Sequence, residues 1–522
     1  AAPAAPPRPG APGAGAEAAD AVSGAAGTLG KTLPIPARLV RLVEFGEPWS
    51  AVAVEVRGEL LHAWEGYRKH AWGADELRPL TRRGLNSFGG VAMSILDALT
   101  TLWVMDLPEE FEEAAKFVEH LLQFGGVDQE CSVFELTIRA LGGLLGAHSL
   151  TSRGVFLERA RELADLLLPA FNTTSGIPVS HWNLHRGTGT SDSCRPTLLA
   201  EAGSIQLEWR YLSEHTGDAR YQEAADGAFR AVQSAGARGL LPVHLTPPSF
   251  QAGPRFLKSK VSTGGEADSY YEYLLKQWLQ SPREEQFKRL FLDVMDELPN
   301  LVRPRATATA QNYSLVMIWP NGRTEWKMEH LSCFVPGTIA LGLMALPPEE
   351  VERRDVWIAL AEGLTRTCVQ MWTSSKSGLA PEHIMMSEDH PHGRLERQSG
   401  RHSYLRPETA ESLFYMFRLT GRSKYRRWGL QILRAIQRQS RVRGGGYASV
   451  RDSEKEVAVK TDEMHSFVLA ETFKYLYLLF APEDLLDLDR YVLNTEAHPL
   501  QRSAASQAAA PVRERPRDIR RG

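Results

Sequence analysis

The sequence is poor in cysteine and contains no long apolar run. Its four cysteines among 522 residues form no CxxC pair, which excludes a disulfide-rich scaffold and a zinc ribbon and leaves room for one structural disulfide. No uninterrupted apolar segment reaches the roughly 20 residues that a helix needs to cross a bilayer. Because the first residue is Ala rather than Met, the sequence leaves open whether a signal or membrane anchor lies upstream of this chain.

The chain also lacks an excess of charge of either sign. It contains 60 basic residues (Lys and Arg) and 63 acidic residues, which gives a formal net charge of −3. No broad basic surface is therefore expected. Hydrophobic residues make up 43% of the chain, enough for a large core in one large domain or two ordinary ones. We therefore exclude nucleic acid as the partner.

The two ends of the sequence differ from the rest in composition. Residues 1–33 consist mostly of Ala, Pro and Gly, so burial of side chains cannot offset the entropy lost on ordering them. The last residues return to Ala, Ser and Gln and close with an Arg-rich stretch. We predict a stem or linker at residues 1–45, a central domain at 46–500 and a disordered basic tail at 501–522.

Helical periodicity dominates the central domain. Apolar residues recur at the helix period in segments 51–70, 110–124, 131–149, 155–168, 204–215, 219–234, 268–280, 284–298, 350–373, 408–420, 423–439 and 464–480. Most segments are short and joined by loops rich in Gly, Pro and Asn, which favours stacked helical hairpins. Strand signals are weak outside Val316–Trp319 and Gly445–Tyr447, so we predict an all-α fold decorated by small β-hairpins.

Three acidic residues stand at helix starts in polar and aromatic surroundings: Glu135, Asp268 and Glu408. Glycoside hydrolysis needs one protonated carboxyl group and one ionised carboxylate, and aromatic faces stack on sugar rings. Each acid alone has a simpler explanation. Glu135 and Arg139 have the spacing of an intrahelical ion pair, and Asp268 and Glu408 are suited to helix starts.

Motifs along nearly all of residues 48–500 resemble, in the same order, those of glycoside hydrolase family 47, the class I α-1,2-mannosidases. The most specific are HLSCFVPGTIALG at His330–Gly342, LRPETAESLFYMFRLTG at Leu405–Gly421, SFVLAETFKYLYLLF at Ser466–Phe480 and VLNTEAHPL at Val492–Leu500. This resemblance implies an (α/α)7 barrel plugged by a hairpin, with residues 46–500 as the catalytic domain. It also implies a calcium-dependent, inverting exo-hydrolase that removes terminal α-1,2-linked mannose from high-mannose N-glycans on glycoproteins.

The resemblance also implies roles for individual residues. Glu135 matches the proposed general acid, Glu408 the proposed general base and Asp268 a third essential carboxyl group. Whether Glu135 or Asp268 delivers the proton stays open at this point. The positions that match the family's mannose subsite or hold its waters are Arg139, Glu201, His330, Arg406, Glu411 and Glu496.

Two further features follow from the same resemblance. Thr495 matches a calcium ligand that uses both its hydroxyl and its backbone carbonyl oxygen, with water and sugar hydroxyls completing the coordination of Ca²⁺. Cys333 and Cys368 match a disulfide common in the family. The family further implies a monomer in the lumen of the endoplasmic reticulum or Golgi, with a type II membrane anchor upstream.

Four positions depart from the family pattern. Thr100 stands where a second acid is usual, Glu329 replaces an Asp, Glu266 occupies a position that relatives use in branch selection, and His465 replaces a Glu. Because an imidazole cannot reproduce a carboxylate acceptor, His465 is expected to weaken or alter activity. Thr100 and His465 motivate an alternative, a mannose-binding, weakly active or inactive member that acts in the degradation of misfolded glycoproteins. A secreted, fungal-type mannosidase is a third hypothesis.

Overall fold

The computed structural model describes residues 48–189, 195–306, 311–386, 400–509 and 512. The predicted stem at residues 1–45 lies outside these ranges, as do Cys194 and most of the predicted tail. In the described part of the chain, no helix combines the length and the apolar character that a membrane crossing requires.

The helices alternate between two concentric layers. In chain order they are α1 (Pro48–His70), α2 (Met93–Val104), α3 (Pro108–His120), α4 (Gly142–Thr151), α5 (Gly154–Leu167), α6 (Gln206–Thr216), α7 (Ala219–Ser234), α8 (Asp268–Gln280), α9 (Glu285–Glu297), α10 (Val335–Ala345), α11 (Arg354–Thr373), α12 (Glu408–Thr420), α13 (Ser423–Gln439) and α14 (Phe473–Phe480). Even-numbered helices form the inner layer and odd-numbered helices the outer layer.

The inner helices form a closed ring. Each even-numbered helix contacts the next one, and the ring closes where the Val468–Thr472 segment before α14 contacts α2. Each outer helix packs on an inner one, and α1 packs on α14, so that the two ends of the helical series meet. This arrangement is the (α/α)7 barrel that the family resemblance implies, and the fold prediction is confirmed.

Burial differs between the layers in the way that the sequence pattern requires. The outer helix α9 buries only one stripe, formed by Phe287, Phe291, Val294 and Met295, as expected for an amphipathic surface helix. The inner helix α10 is buried at every position. Two inner helices, α2 and α10, are absent from the periodicity prediction because they are buried nearly all round and have no exposed polar face to set a period.

Short strands decorate the barrel in seven antiparallel pairs within the described residues. The strands are β1 (Glu76–Arg78), β2 (Arg83–Leu85), β3 (Glu130–Ser132), β4 (His181–Asn183), β5 (Thr197–Leu198), β6 (His244–Leu245), β7 (Val302–Ala306), β8 (Gln311–Leu315), β9 (Met317–Ile318), β10 (Thr324–Glu325), β11 (Lys327–Glu329), β12 (His383–Met385), β13 (Tyr491–Leu493) and β14 (Pro499–Gln501). The pairs are β1–β2, β3–β4, β5–β6, β7–β8, β9–β10, β11–β12 and β13–β14.

The β13–β14 hairpin enters the barrel. Leu493 pairs with Pro499, β13 contacts α8, and β14 contacts α4. The turn between the two strands, residues 494–498, is buried except at Thr495, which is half-buried. The hairpin therefore plugs one end of the ring and presents its turn to the interior.

The structure extends the packed region beyond the predicted boundary at residue 500. Arg502 is 1% exposed, and its guanidinium donates a hydrogen bond to the carbonyl oxygen of Leu279 at 2.8 Å. Ala504–Ala509 forms a short helix. The prediction of disorder from residue 501 is wrong for residues 501–509, because buried hydrogen bonds attach them to the end of α8.

The predicted disulfide is present. Cys333 and Cys368 form an S–S bond of 2.10 Å that joins the segment before α10 to α11. Cys131 is a buried free thiol.

Candidate active site

A cavity of about 320 Å³ opens inside the barrel where several inner helices begin. Asp268 and Glu408 are the first residues of α8 and α12, and Glu135 lies at the end of a short helix that leads into α4. Carboxylates are favoured at helix N-termini because the backbone N–H groups and the helix dipole stabilise negative charge. The fold thus collects acidic side chains around one cavity.

All of the predicted site residues except His330 line this cavity. The lining includes Glu135, Arg139, Glu201, Asp268, Arg406, Glu408, Glu411, Thr495 and Glu496. His330 lies behind the wall and contacts Glu408. The structure therefore brings the predicted constellation together, while the role of each residue stays a prediction.

Glu408 is held by a relay of hydrogen bonds. His330 Nδ1 lies 2.8 Å from Glu408 Oε2, and the indole N–H of Trp372 donates to His330 Nε2 at 3.1 Å. An indole nitrogen can only donate, so His330 Nε2 must be unprotonated and Nδ1 must be the donor to Glu408. Burial acts to raise the pKa of Glu408, but the hydrogen bond from His330 and the charge of Arg406 lower it below its ordinary value. Glu408 is consequently an ionised carboxylate, as a general base must be.

Asp268 has the opposite character. Burial, together with the negative charges of Glu272 and Glu408, raises its pKa to about 7, although the N–H of Ser269 partly opposes the shift. That N–H lies 2.9 Å from Asp268 Oδ1. Asp268 therefore retains its proton up to about pH 7, well above the pH at which Glu408 loses its own, and this is the difference that separates an acid from a base in one site.

Arg139 connects the acids on the other side of the cavity. Its Nε donates to Glu135 Oε2 at 2.6 Å, its Nη1 donates to Glu496, and Nη1 lies 3.7 Å from Asp97 Oδ2. Burial acts to lower the pKa of Arg139, but Glu496, Glu135 and Asp97 raise it well above the ordinary value. The guanidinium is therefore a fixed positive charge between two wall carboxylates.

The backbone around Arg139 is π-helical. Residues 136–141 form a π-helical segment, so the predicted single helix 131–149 is divided at the cavity. A second π-helical segment, Val468–Thr472, leads into α14 on the cavity wall. Such segments are rare and are found mostly at functional sites, where they redirect side chains.

The remaining polar wall residues are held by individual partners. Ser180 donates a hydrogen bond to Glu201 at 2.8 Å. Arg406 Nε donates to Glu382 at 2.5 Å. Glu266 has a positive φ of 81°, and its two carboxylate oxygens contact Lys260 Nζ at 2.8 Å and His244 Nε2 at 3.3 Å.

Oxygen donors suited to a hard cation meet at the turn that contains Thr495. Within the described ranges, neither the hydroxyl nor the carbonyl oxygen of Thr495 takes part in a hydrogen bond, and only its N–H does. Burial and the charge of Glu272 raise the pKa of nearby Glu411 to about 8, and burial raises the pKa of Glu496 well above its ordinary value. A divalent cation would stabilise the ionised form of these buried carboxyl groups, and a set of donors made only of oxygen atoms fits calcium.

Protein side chains alone would not complete such a site. Among the described residues, no group of three or more His, Cys, Asp and Glu side chains is arranged to hold a metal ion. Water and sugar hydroxyls would have to supply most of the ligands of an ion bound there.

Several cavity residues were not predicted from the sequence. Glu272, Phe467 and Glu471 line the cavity. Glu272 lies four residues after Asp268 and therefore on the same helix face, a signal that could have identified it. Glu471 lies inside the motif at Ser466–Phe480, but only the π-helical backbone places it on the wall.

The departures Thr100 and His465 do not line the cavity. His465 Nδ1 lies 3.2 Å from Glu76 Oε1. Thr100 lies in a buried network in which Lys474 Nζ donates to Thr100 Oγ1 at 2.9 Å and to the carbonyl oxygen of Ala497 at 2.7 Å. Both residues therefore contact other side chains outside the cavity lining.

Comparisons with known proteins agree with the fold. The family model described as glycosyl hydrolase family 47 matches residues 59–502. An endoplasmic reticulum mannosyl-oligosaccharide 1,2-alpha-mannosidase of Homo sapiens is 42% identical over 84% of this chain, which spans 62% of that relative's length. A mannosyl-oligosaccharide 1,2-alpha-mannosidase of Arabidopsis thaliana is 38% identical over 88% of this chain and 80% of its own.

A solved structure is similar as well. The alpha-1,2-mannosidase from Trichoderma reesei superposes with a TM-score of 0.76 at 27% identity, over 86% of this chain and 99% of that one.

Proposed function

The chain belongs to glycosyl hydrolase family 47, and on that premise we propose that it hydrolyses terminal α-1,2-linked mannose from high-mannose N-glycans. The observation that supports this proposal best is the contrast between Glu408 and Asp268. One carboxyl group has a pKa below its ordinary value and the other a pKa near neutrality, and both line the same cavity.

In the proposed reaction Glu408 is the general base. Its carboxylate takes a proton from a water molecule, and the water oxygen forms a bond to the anomeric carbon of the terminal mannose. The glycosidic C–O bond breaks, and the electron pair stays with the oxygen of the departing sugar. Attack opposite the leaving group inverts the anomeric centre and yields β-mannose.

A proton must reach the departing oxygen at the same time. Asp268 is the proposed source because its raised pKa of about 7 keeps it protonated up to near-neutral pH. Glu135, which is the matching residue by family motif, is held by Arg139 and is the alternative source. Arg139 and Arg406 are proposed to position sugar hydroxyls beside these acids.

We further propose that Thr495 binds Ca²⁺ through its hydroxyl and carbonyl oxygens. When bound, the ion supplies coordination for hydroxyls of the terminal mannose and thereby orients the ring. Glu411 and Glu496 are proposed to hold water molecules around it.

The proposed setting is the lumen of the secretory pathway. The name of the human relative places that protein in the endoplasmic reticulum, and we expect the same substrates, glycoproteins with high-mannose N-glycans, for this chain. A monomer and an upstream membrane anchor remain part of the proposal.

The test is release of mannose from a high-mannose N-glycan, with and without a calcium chelator, and the anomer followed by NMR. Wild type should release β-mannose only when calcium is present. Glu408→Gln should be inactive, and Glu223→Gln on the exposed face of α7 serves as the matched control. Binding of glycan without release, even with excess calcium, would refute the hydrolase and favour the mannose-binding alternative.

A further inference from the structure

The turn that presents Thr495 is held together by one buried amide. Asn494 Oδ1 accepts hydrogen bonds from the N–H groups of Glu496 at 3.0 Å and His498 at 2.8 Å. The same turn contains Ala497 with a positive φ of 59°, a conformation that is unfavourable for a residue other than glycine. The side chain of Asn494 therefore stabilises a turn whose backbone would not adopt this shape unaided.

Glu208 is the group that orients this amide. It lies on α6, is 0% exposed, and its Oε1 accepts a hydrogen bond from Asn494 Nδ2 at 2.7 Å. The second N–H of Asn494 Nδ2 donates to the carbonyl oxygen of Ile138 at 2.8 Å. With the amide rotated by half a turn, its N–H groups would face other N–H groups, so the acceptors Glu208 and Ile138 fix its orientation.

A second link runs from Glu208 to Thr495 itself. The hydroxyl of Tyr273 donates to Glu208 Oε1 at 2.7 Å, and the N–H of Thr495 donates to the same hydroxyl at 3.3 Å. Oε2 of Glu208 is buried and has no hydrogen-bond partner within the described ranges. Glu208 Oε1 thus supports the turn in two ways, through Asn494 and through Tyr273. Glu208 itself does not line the cavity.

We propose that Glu208 is a positioning residue for the cation-binding turn: through Asn494 and Tyr273 it sets the placement of the Thr495 oxygens and hence the affinity for calcium. This inference rests on the proposed function, because it presumes that Thr495 binds calcium. It concerns affinity for the ion and gives Glu208 no part in the chemical step.

The test compares calcium binding by chelator-stripped protein, measured by isothermal titration calorimetry, in wild type and three variants. Glu208→Leu removes the shared acceptor at similar volume and should weaken calcium binding about 10-fold or more, since two buried donors lose their partner. Glu208→Gln retains an acceptor oxygen and should bind calcium within about threefold of wild type. Tyr273→Phe, an isosteric change that removes one route, should weaken binding to a smaller degree.

A control separates placement of the turn from general destabilisation. Leu163→Ala in the outer helix α5 removes a fully buried side chain that takes no part in the hydrogen bonds holding the turn, and it should lower the Tm without changing calcium affinity. For Glu208→Leu, kcat at saturating calcium should recover, while the calcium concentration for half-maximal activity rises by the same factor as the calorimetric Kd.

Two results would overturn the inference, and they differ in their consequence for the proposed function. If both Glu208→Leu and Tyr273→Phe bind calcium as tightly as wild type, the positioning role is wrong and the calcium site stands. If wild type itself binds no calcium, both the inference and the proposed cofactor are wrong.

Discussion

Replacing Asp268 with Asn should make the protein more stable and less active, with a pH dependence that identifies the cause. Asp268 is half-buried at the cavity wall, and burial, with the charges of Glu272 and Glu408, raises its pKa to about 7. Asn has nearly the same shape, and its carbonyl oxygen can still accept the hydrogen bond from the N–H of Ser269. The substitution therefore removes a charge without opening a cavity.

The size of the effect follows from the pKa difference. The ordinary value for Asp is 3.8 and the folded value about 7, so the folded state loses up to about 4 kcal/mol of stability once this carboxyl group ionises, at about 1.4 kcal/mol per pKa unit. Because the side chain faces the cavity, water screens part of this cost, and we expect about 1–3 kcal/mol.

The sign of the pH dependence is fixed by the direction of the shift. Between the unfolded pKa near 4 and the folded pKa near 7, the unfolded chain has lost a proton that the folded chain retains. The stabilising contribution of this group is therefore complete below about pH 4 and disappears as the pH rises through about 7. Asn does not titrate, so the advantage of Asp268→Asn should be absent at pH 4 and reach its full size at pH 8.

The assay is urea unfolding followed by tryptophan fluorescence, in the absence of divalent ions, at several pH values from 5 to 8. Glu223→Gln again serves as the control and should show no pH-dependent difference from wild type. In parallel, kcat of Asp268→Asn should fall by about 10²–10⁴ if Asp268 is the general acid.

Two results would contradict this reasoning. A stability difference that is constant from pH 5 to pH 8 would show that Asp268 ionises normally in the folded protein. A residual activity of Asp268→Asn that still declines as the pH rises through 7 would assign the proton donor to another group, with Glu135 as the alternative.

Three further predictions concern groups outside the cavity. Thr100→Asp places a carboxylate beside Lys474, whose pKa burial lowers to about 7. The attraction between the two charges should stabilise the protein by about 1–3 kcal/mol below pH 7 in the same urea assay, and no gain there would show that the cost of burying the new carboxylate is the larger effect. Removing the disulfide by Cys333→Ala with Cys368→Ala, a sequence separation of 35, should cost about 3–4 kcal/mol, measured as a lower Tm. Trp372→Phe removes one of the two hydrogen bonds at His330 Nε2, where the Thr409 hydroxyl at 2.9 Å is the other partner, and it should lower kcat by up to about 10-fold with KM unchanged.

The sequence pattern predicted the outer helices better than the inner ones, for a physical reason. An outer helix such as α13 (Ser423–Gln439) has one buried face, so apolar residues recur at the helix period and its bounds are predicted correctly. The inner helices α2 and α10 are buried nearly all round, so no exposed polar face sets a period. The inner helices α8 and α12 are buried to a similar degree but contain charged side chains among their apolar residues, and the helix period predicted both.

The site was predictable to the extent that its residues lie in specific motifs. Glu135, Asp268 and Glu408 were identified in this way, and the structure places all three on one cavity. Contacts between distant segments were not predictable. His465 is expected from the sequence to weaken or alter activity, and the structure pairs it with Glu76 outside the cavity lining, a contact that joins residues far apart in the chain.

The hairpin β13–β14 has a consequence for how the protein reaches its working state during synthesis. Thr495 and Glu496 follow every helix of the barrel in the sequence, and the ring itself closes only when the Val468–Thr472 segment before α14 meets α2. A nascent chain that has not yet emerged beyond residue 498 lacks the turn that lines one end of the cavity, even if its earlier helical hairpins have already formed. Competence for the proposed reaction is therefore acquired in a single late step, which leaves little opportunity for a partly folded chain to act on a glycan.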